Sequence, residues 1–385
     1  MKIIILNYEF PPLGGGAGNA TYHILKEFKK YPDIEIEFIT SSSKKEGGKE
    51  KFSKNINVHF LNIGKKGDLH HQSNKDLLLY SAKAYRKTRE IIGQQNIDLI
   101  HAFFGVPCGY IAMQMKKPYI VSLRGSDVPF HNKRFYWLDK LFLKNLSRKI
   151  WKNSDAVIAN SKGLKDSAQQ SAPEQAIDVI PNGVDIDTFS PSEAPQKMPR
   201  ILTVTRLAEG KRIELLIRAI NIVRKKIPDV QLVIAGSGKY KNELEKLTNK
   251  ENLSEKVTFL GSVPHNQLVK VYRSASLFVL PSKNEGMSNT VLEAMACGLP
   301  LVVSDAGGMQ ELCQGNGIKL SDVSEASLAQ AIEKIINAPA TEIETYRKRS
   351  RQMAETHSWN EVALSYKNLY QKVLDGRVKT ETIFP

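Results

Sequence analysis

The chain has 385 residues, 41% of them hydrophobic and 25% charged, and its 55 Lys and Arg against 40 Asp and Glu leave a formal net charge of +15. That length exceeds one ordinary core and points to two domains, and the composition excludes wholesale disorder. No run nears the ~18 apolar residues of a membrane span. The apolar stretch Met1–Leu6 is too short for a signal peptide, and Cys108, Cys297 and Cys313 are too scattered for a disulfide framework or a zinc pattern. A cytoplasmic chain is therefore expected.

In chain order, short apolar runs predict strands at Lys2–Asn7, Glu35–Thr40, Val58–Asn62, Asp98–Ala102, Tyr119–Leu123 and Ala156–Ala159. A second series follows at Ile201–Thr205, Gln231–Ala235, Val257–Leu260, Leu277–Leu280 and Leu301–Ser304. Several are nearly continuous Val, Ile and Leu, as strands buried on both faces require. Helical spacing between them, at Leu77–Gln94, Arg212–Lys226 and Asn266–Ser274, completes a strand–helix alternation that predicts parallel α/β sheets. The stretch from Pro181 to Pro199, with Pro191 and Pro195 inside it, has no periodicity and reads as the boundary between two doubly wound halves.

Four segments have the makings of chemistry. Gly14, Gly15, Gly16 and Gly18 follow the first strand and precede a helix, where glycines let backbone approach an anion. The dinucleotide pattern fails there, because position 19 is Asn and the second predicted strand ends Thr40-Ser41 without an acid. The turn Gly236-Ser237-Gly238-Lys239 likewise misses the Walker pattern, Val233 standing where the first Gly belongs. Asp185-Ile186-Asp187 is a formal divalent-ion pair, but its place after Asn182-Gly183 favours a turn or cap. The richest stretch is Asn284–Pro300: a Glu285-Gly286-Met287-Ser288 loop, a cap at Ser288 or Asn289, a helix, a Gly298 stop and Pro300 opening the next strand. The free N–H groups of Asn289 and Thr290 suit a phosphate. Glu293, one turn inside, suits a ribose diol, although an acid in a first turn also stabilises any helix.

Glu285 and Glu293, within Glu-Gly-x-x-x-x-x-Leu-Glu-Ala-Met-Ala-x-Gly-x-Pro, resemble the donor-site signature of glycosyltransferase family 4, retaining enzymes of the GT-B fold. The resemblance runs over nearly the whole chain: Pro11-Pro12 with Gly15-Gly16, Pro181-Asn182-Gly183-Val184-Asp185 with Phe189, Arg206 with Lys211, Gly236 with Gly238, and Gly261-Ser262-Val263. It implies an α/β GT-B architecture, two Rossmann-like doubly wound parallel-sheet domains facing an interdomain cleft. The implied boundaries are 1–185 for the acceptor domain, 186–199 for the linker, 200–360 for the donor domain and 361–385 for a C-terminal helix crossing back.

The resemblance also implies a retaining transfer from a nucleoside-diphosphate sugar, UDP-linked by preference and GDP-linked otherwise, to an acceptor hydroxyl in glycan, polysaccharide or glycolipid synthesis. No metal and no cofactor beyond the sugar nucleotide would be needed. Arg206 and Lys211 would offset the diphosphate charge, Glu285 would meet the donor sugar, Glu293 the ribose and the Val263 backbone the base. Gly15, Gly16, Arg124, Gly286, Met287, Ser288, Asn289 and Thr290 would complete the donor site, with His101 and Asp127 on the acceptor side. The chain departs from the family twice. Arg124-Gly125-Ser126-Asp127 stands where His-Gly-x-Asp is usual, and Arg212 stands where Gly is usual. Arg124 keeps its charge and so donates without acting as a base. A lone His101 at a strand end fits a structural role as well as a ligand contact. Two alternatives stay open on the same fold: a sugar-nucleotide epimerase or hydrolase, and a catalytically silent sugar-nucleotide or membrane-binding protein.

The charge is concentrated: Lys116 to Lys152 holds ten Lys and Arg against two Asp. Phe135, Tyr136, Trp137, Leu141, Phe142 and Trp151 alternate there with Lys133, Arg134, Lys140, Lys144, Arg148, Lys149 and Lys152. Two readings compete: a peripheral seat on an anionic membrane, on its inner face and serving a lipid-linked acceptor, or an amphipathic helix packing on the first sheet. Nucleic acid is not expected, because no recognised module is present.

Overall fold

The structure, a computed structural model, describes residues 1–43, 47–65, 69, 72–130, 136–192 and 199–376. Lys133, Arg134, Phe135 and Pro195 lie outside the described residues. The chain divides into two compact units, one formed by residues 1–182 with the segment from Trp359 onward, the other by Gly183–Ser358.

Among the described residues the sheet of the first unit has eight strands: β1 (Lys2–Leu6), β2 (Glu35–Ser42), β3 (Gly48–Ser53), β4 (Ile56–Asn62), β5 (Leu99–Phe103), β6 (Tyr119–Ser122), β7 (Ala156–Ala159) and β8 (Asp178–Val179). Their order is β3-β4-β2-β1-β5-β6-β7-β8, parallel throughout except for β3, which runs antiparallel to β4. Ile3, Ile4, Ile5 and Leu6 are wholly buried because helices cover both faces of a parallel sheet. The helix Asn74–Gln94 starts at a capping box in which Ser73 and Asp76 satisfy each other's backbone N–H groups. The last helix, Trp359–Leu374, belongs to this unit. It packs on the helix Gly16–Phe28, buries Tyr366, Leu369 and Tyr370, and stacks Trp359 on His23 with ring centroids 5.1 Å apart.

The sheet of the second unit is parallel throughout: β9 (Arg200–Val204), β10 (Gln231–Ala235), β11 (Val257–Gly261), β12 (Leu277–Leu280), β13 (Leu301–Ser304) and β14 (Gly317–Leu320), in the order β11-β10-β9-β12-β13-β14. The unit begins and ends at one place, where the Val184 N–H donates to the His357 carbonyl at 2.8 Å. Both sheets are doubly wound. The order reverses between β1 and β5 in the first and between β9 and β12 in the second, and in such sheets the loops at the carboxyl ends of the two reversal strands form a natural crevice.

Candidate functional site

At the reversal point of the second unit, the loop after β9 meets the loop after β12. The Lys283 N–H donates to the Gly210 carbonyl at 2.8 Å, and the Lys211 ammonium pairs with the Glu285 carboxylate. Both charged groups are mostly covered, with side-chain exposures of 21% and 12%. Arg206 stands in the first of these loops and is exposed. Its loop is held from the neighbouring turn, where the Thr205 N–H donates to the Ala235 carbonyl at 3.0 Å and the Leu207 N–H to the Ser237 carbonyl at 2.9 Å. Arg212 adopts a left-handed conformation, φ 53°, as it starts the helix Ile213–Val223, which explains why a glycine suits that position.

Gly286 is tied to the loop after β13, its carbonyl accepting the Gly308 N–H at 3.2 Å. Met287 is buried in the apolar core of this unit. Ser288 is the N-cap of the helix Asn289–Ala296, but its hydroxyl lies 3.2 Å from that of Thr290 rather than on a backbone N–H. Val263 follows β11.

Glu293, 6% exposed, is held at both oxygens. Tyr272 donates its hydroxyl to Oε2 at 2.8 Å, and His265 Nε2 lies 3.0 Å from Oε1. Phe189 packs edge-on against both rings, with centroids 5.2 Å from His265 and 5.7 Å from Tyr272. Neither His265 nor Tyr272 figures in the sequence reading. The available signal was the position of His265, two residues beyond Val263 at the start of a helix. The hydrogen bond to Glu293 raises the His265 pKa, burial opposes that, and the charges of Glu293 and Asp185 add to the rise. A folded value above the free value stabilises the fold at low pH. The contribution is complete below the free pKa and is lost as pH rises through the folded one. His265→Gln is accordingly expected to lower Tm by roughly 1–2 °C near about pH 6, and by less at about pH 9, in paired melts. An equal gap at both pH values rejects the ion pair. Asp185 itself serves the turn, its Oδ1 accepting the Thr188 N–H at 3.0 Å.

In the first unit the glycine loop after β1 is anchored by its own side chains. Asn7 donates to Thr21 Oγ1 at 2.8 Å, and Glu9 accepts the Gly15 N–H at 3.0 Å. The start of the helix Gly16–Phe28, where an anion was expected, thus already faces an internal carboxylate. Arg124 lies 4.5 Å above the Phe103 ring and donates to Asn182 Oδ1 at 2.8 Å and to the Tyr366 hydroxyl at 3.2 Å. Asp127 spends one oxygen on its own loop and the other on the loop after β5. Oδ1 accepts the Arg124 and Gly125 N–H groups at 2.9 and 3.0 Å, and Oδ2 the Gly105 N–H at 2.8 Å. His101, expected on the acceptor side, is 0% exposed. Its ring nitrogens lie 2.7 Å from the Tyr370 hydroxyl and 2.8 Å from that of Ser122, which leaves neither for a ligand. Burial, helped by the Arg124 charge, lowers the His101 pKa well below its ordinary value, so the ring is neutral.

Two family models together match residues 14–356: Glycosyltransferase Family 4 over residues 14–188 and Glycosyl transferases group 1 over residues 185–356. An uncharacterised glycosyltransferase of Methanocaldococcus jannaschii is 26% identical over 387 residues, covering 97% of this chain and 99% of the relative. Among solved structures, a sucrose-phosphate synthase from Thermosynechococcus elongatus superposes with a TM-score of 0.82 at 22% identity, covering 97% and 99% of the two chains. The Anabaena protein HepE in complex with UDP-glucose superposes with a TM-score of 0.73 at 21% identity, covering 97% and 100%. At those identities the structures are alike in fold, two Rossmann-like parallel-sheet domains.

Proposed function

The chain belongs to glycosyltransferase family 4, and from that premise we propose that it moves a sugar, with retention of anomeric configuration, from a nucleoside-diphosphate sugar to an acceptor hydroxyl. The observation that carries the reading is the pairing, at the reversal point of the second sheet, of Lys211 from the β9 loop, which also bears Arg206, with Glu285 from the β12 loop, which leads into the helix start at Ser288. A diphosphate is the ligand that two cations and a helix N-terminus share. Charge builds on that diphosphate as the glycosidic bond breaks, so cations already fixed there favour the transition state over the bound substrate.

In this reading Lys211 stabilises the leaving diphosphate and holds Glu285 toward the donor sugar, while Arg206 reaches the diphosphate from the solvent side. Glu293, fixed by Tyr272 and His265, takes the ribose, and the Val263 backbone borders the base. The leaving phosphate itself assists deprotonation of the acceptor, so neither a protein nucleophile nor a metal is assigned a step. UDP is the favoured nucleotide, in keeping with the UDP-glucose held by the structural neighbour from Anabaena.

A thermal-shift panel of UDP- and GDP-linked sugars tests the donor, since a ligand at about a hundred times its Kd stabilises by about 2.7 kcal/mol. Glu293→Gln is expected to weaken nucleotide binding about 10- to 100-fold, the worth of charged hydrogen bonds to one diol. An unchanged Kd removes Glu293 from the site. Turnover of the sugar nucleotide without any acceptor would replace transfer by hydrolysis or epimerisation.

A further inference from the structure

Helical turns run without a break from Tyr136 to Lys152 in the first unit, and the run has two faces. The inner face, Asp139, Ser147, Ile150 and Trp151, is buried. The outer face carries Trp137 and Leu141, 70% and 73% exposed, flanked by Phe142 and Tyr136 at 51% and 48%. Trp137, Leu141, Lys144 and Arg148 follow one another at three- and four-residue spacing, so they line one stripe that is apolar at its start and cationic at its end. Lys140 lies 5.6 Å from the Trp137 ring, and Lys144 lies 5.9 Å from the Phe130 ring, which packs on Tyr136. Asp139 is the single acid of residues 136–152, and it is turned inward, accepting the Phe130 N–H at 2.9 Å.

We propose that this outer face seats the first unit on an anionic lipid surface, with Trp137 and Leu141 dipping into the headgroup region and Lys140, Lys144, Arg148 and Lys149 engaging lipid phosphates. An ordinary amphipathic helix would bury Leu141 and Phe142, and this one exposes them, so packing on the first sheet does not account for them. A protein partner would normally be met by charges of both signs around an apolar centre. Among residues 136–152 every charge other than the inward Asp139 is cationic, which matches a uniformly anionic plane. Tyr and Trp, amphipathic rings, and Lys and Arg, long stems ending in a charge, are the residues that settle at a bilayer interface. Among the described residues no helix is long and apolar enough to cross a membrane, so the contact lies in the surface plane. The inference stands apart from the donor reading, because no residue of the second unit enters it.

The chain carries its own reporter. It has three tryptophans, of which Trp151 and Trp359 are 0% and 6% exposed, so Trp137 dominates any solvent-sensitive emission. Vesicles of phosphatidylcholine alone and of phosphatidylcholine with phosphatidylglycerol are added to the intact protein. The anionic vesicles are expected to shift the emission to the blue, and brominated acyl chains to quench it. Added salt and the neutral vesicles should reduce both effects. Lys144→Gln with Lys149→Gln should weaken vesicle co-sedimentation about 25-fold, about fivefold for each cation removed. Trp137→Phe should abolish the emission shift while the protein still sediments with the vesicles. Emission that ignores anionic vesicles, or binding indifferent to lipid charge, overturns the proposal. A blue shift that grows with protein concentration in the absence of lipid overturns it in favour of a second copy of the chain. Trp137 and Lys149 are exposed and Lys144 is half-buried, and an unaltered melting temperature confirms that folding is intact.

Discussion

Gly307→Ala is expected to cost about 3 kcal/mol, which lowers the Tm by roughly 6–12 °C for a unit of this size, and to remove nucleotide binding with it. Gly307 has φ +54°, a left-handed conformation, and a Cβ built on it falls 1.8 Å from the Glu285 carbonyl oxygen. The atom it strikes is backbone, which cannot swing aside as a flexible side chain does. The loop bearing Glu285 must move, and its contact with Lys211 moves with it. Gly236 stands in the same relation to the other wall, with φ +136° and a Cβ position 1.9 Å from the Thr205 carbonyl, one residue before Arg206. Gly210→Ala is the control: it lies between the two walls, yet a Cβ there meets nothing within 4 Å. Differential scanning fluorimetry with and without UDP separates the three. If Gly307→Ala melts and binds like Gly210→Ala, close backbone approach is not what shapes this site.

What could be read in the sequence, and what could not, follows from where each signal lies. Leu277–Leu280 and Leu301–Ser304 are evident because a parallel strand covered on both faces must be apolar along its whole length. β3, Gly-Lys-Glu-Lys-Phe-Ser, carries no such pattern, since it is an edge strand held by antiparallel pairing to β4. The two-residue β8 and the partly exposed β14 escape for the same reason: pairing rather than burial creates them. Arg206, Lys211, Glu285 and Glu293 stand out because loop, cap and helix are contiguous in the chain. The partners of Glu293 do not, since His265 and Tyr272 lie 28 and 21 residues away and only the β11–β12 connection brings them in. The enclosure of His101 depends on Tyr370, 269 residues on, and the Ser122 hydroxyl beside it is met by Tyr366 at 3.0 Å. No local pattern distinguishes such a histidine from one facing a ligand. The outward turn of Trp137 and Leu141 is likewise invisible in a periodicity that fits either face.

Arg206→Ala and Lys211→Ala are each expected to lower kcat by about 10²–10³, the usual loss when one preorganised charge is removed from a developing anion. Arg206 is exposed, so its truncation should leave Tm unchanged and confine the loss to turnover. Lys211 is different, because removing it leaves the Glu285 carboxylate, 12% exposed, without its cation. Part of the fall in Lys211→Ala therefore reports displacement of Glu285 and not only lost charge at the diphosphate. Lys211→Ala with Glu285→Gln separates the two, since the amide needs no cation beside it. If Lys211 serves only to place Glu285, the double variant should be no slower than Glu285→Gln alone. If Lys211 also stabilises the leaving group, the double variant should be slower than Glu285→Gln by at least about tenfold. A leaving-group role further requires that the loss shrink for donors whose nucleotide departs more easily, because the less charge help a bond needs in breaking, the less the cation can supply. Unchanged turnover in both Arg206→Ala and Lys211→Ala would remove the cations from the chemical step and leave the helix start at Ser288 as the diphosphate's stabilising group.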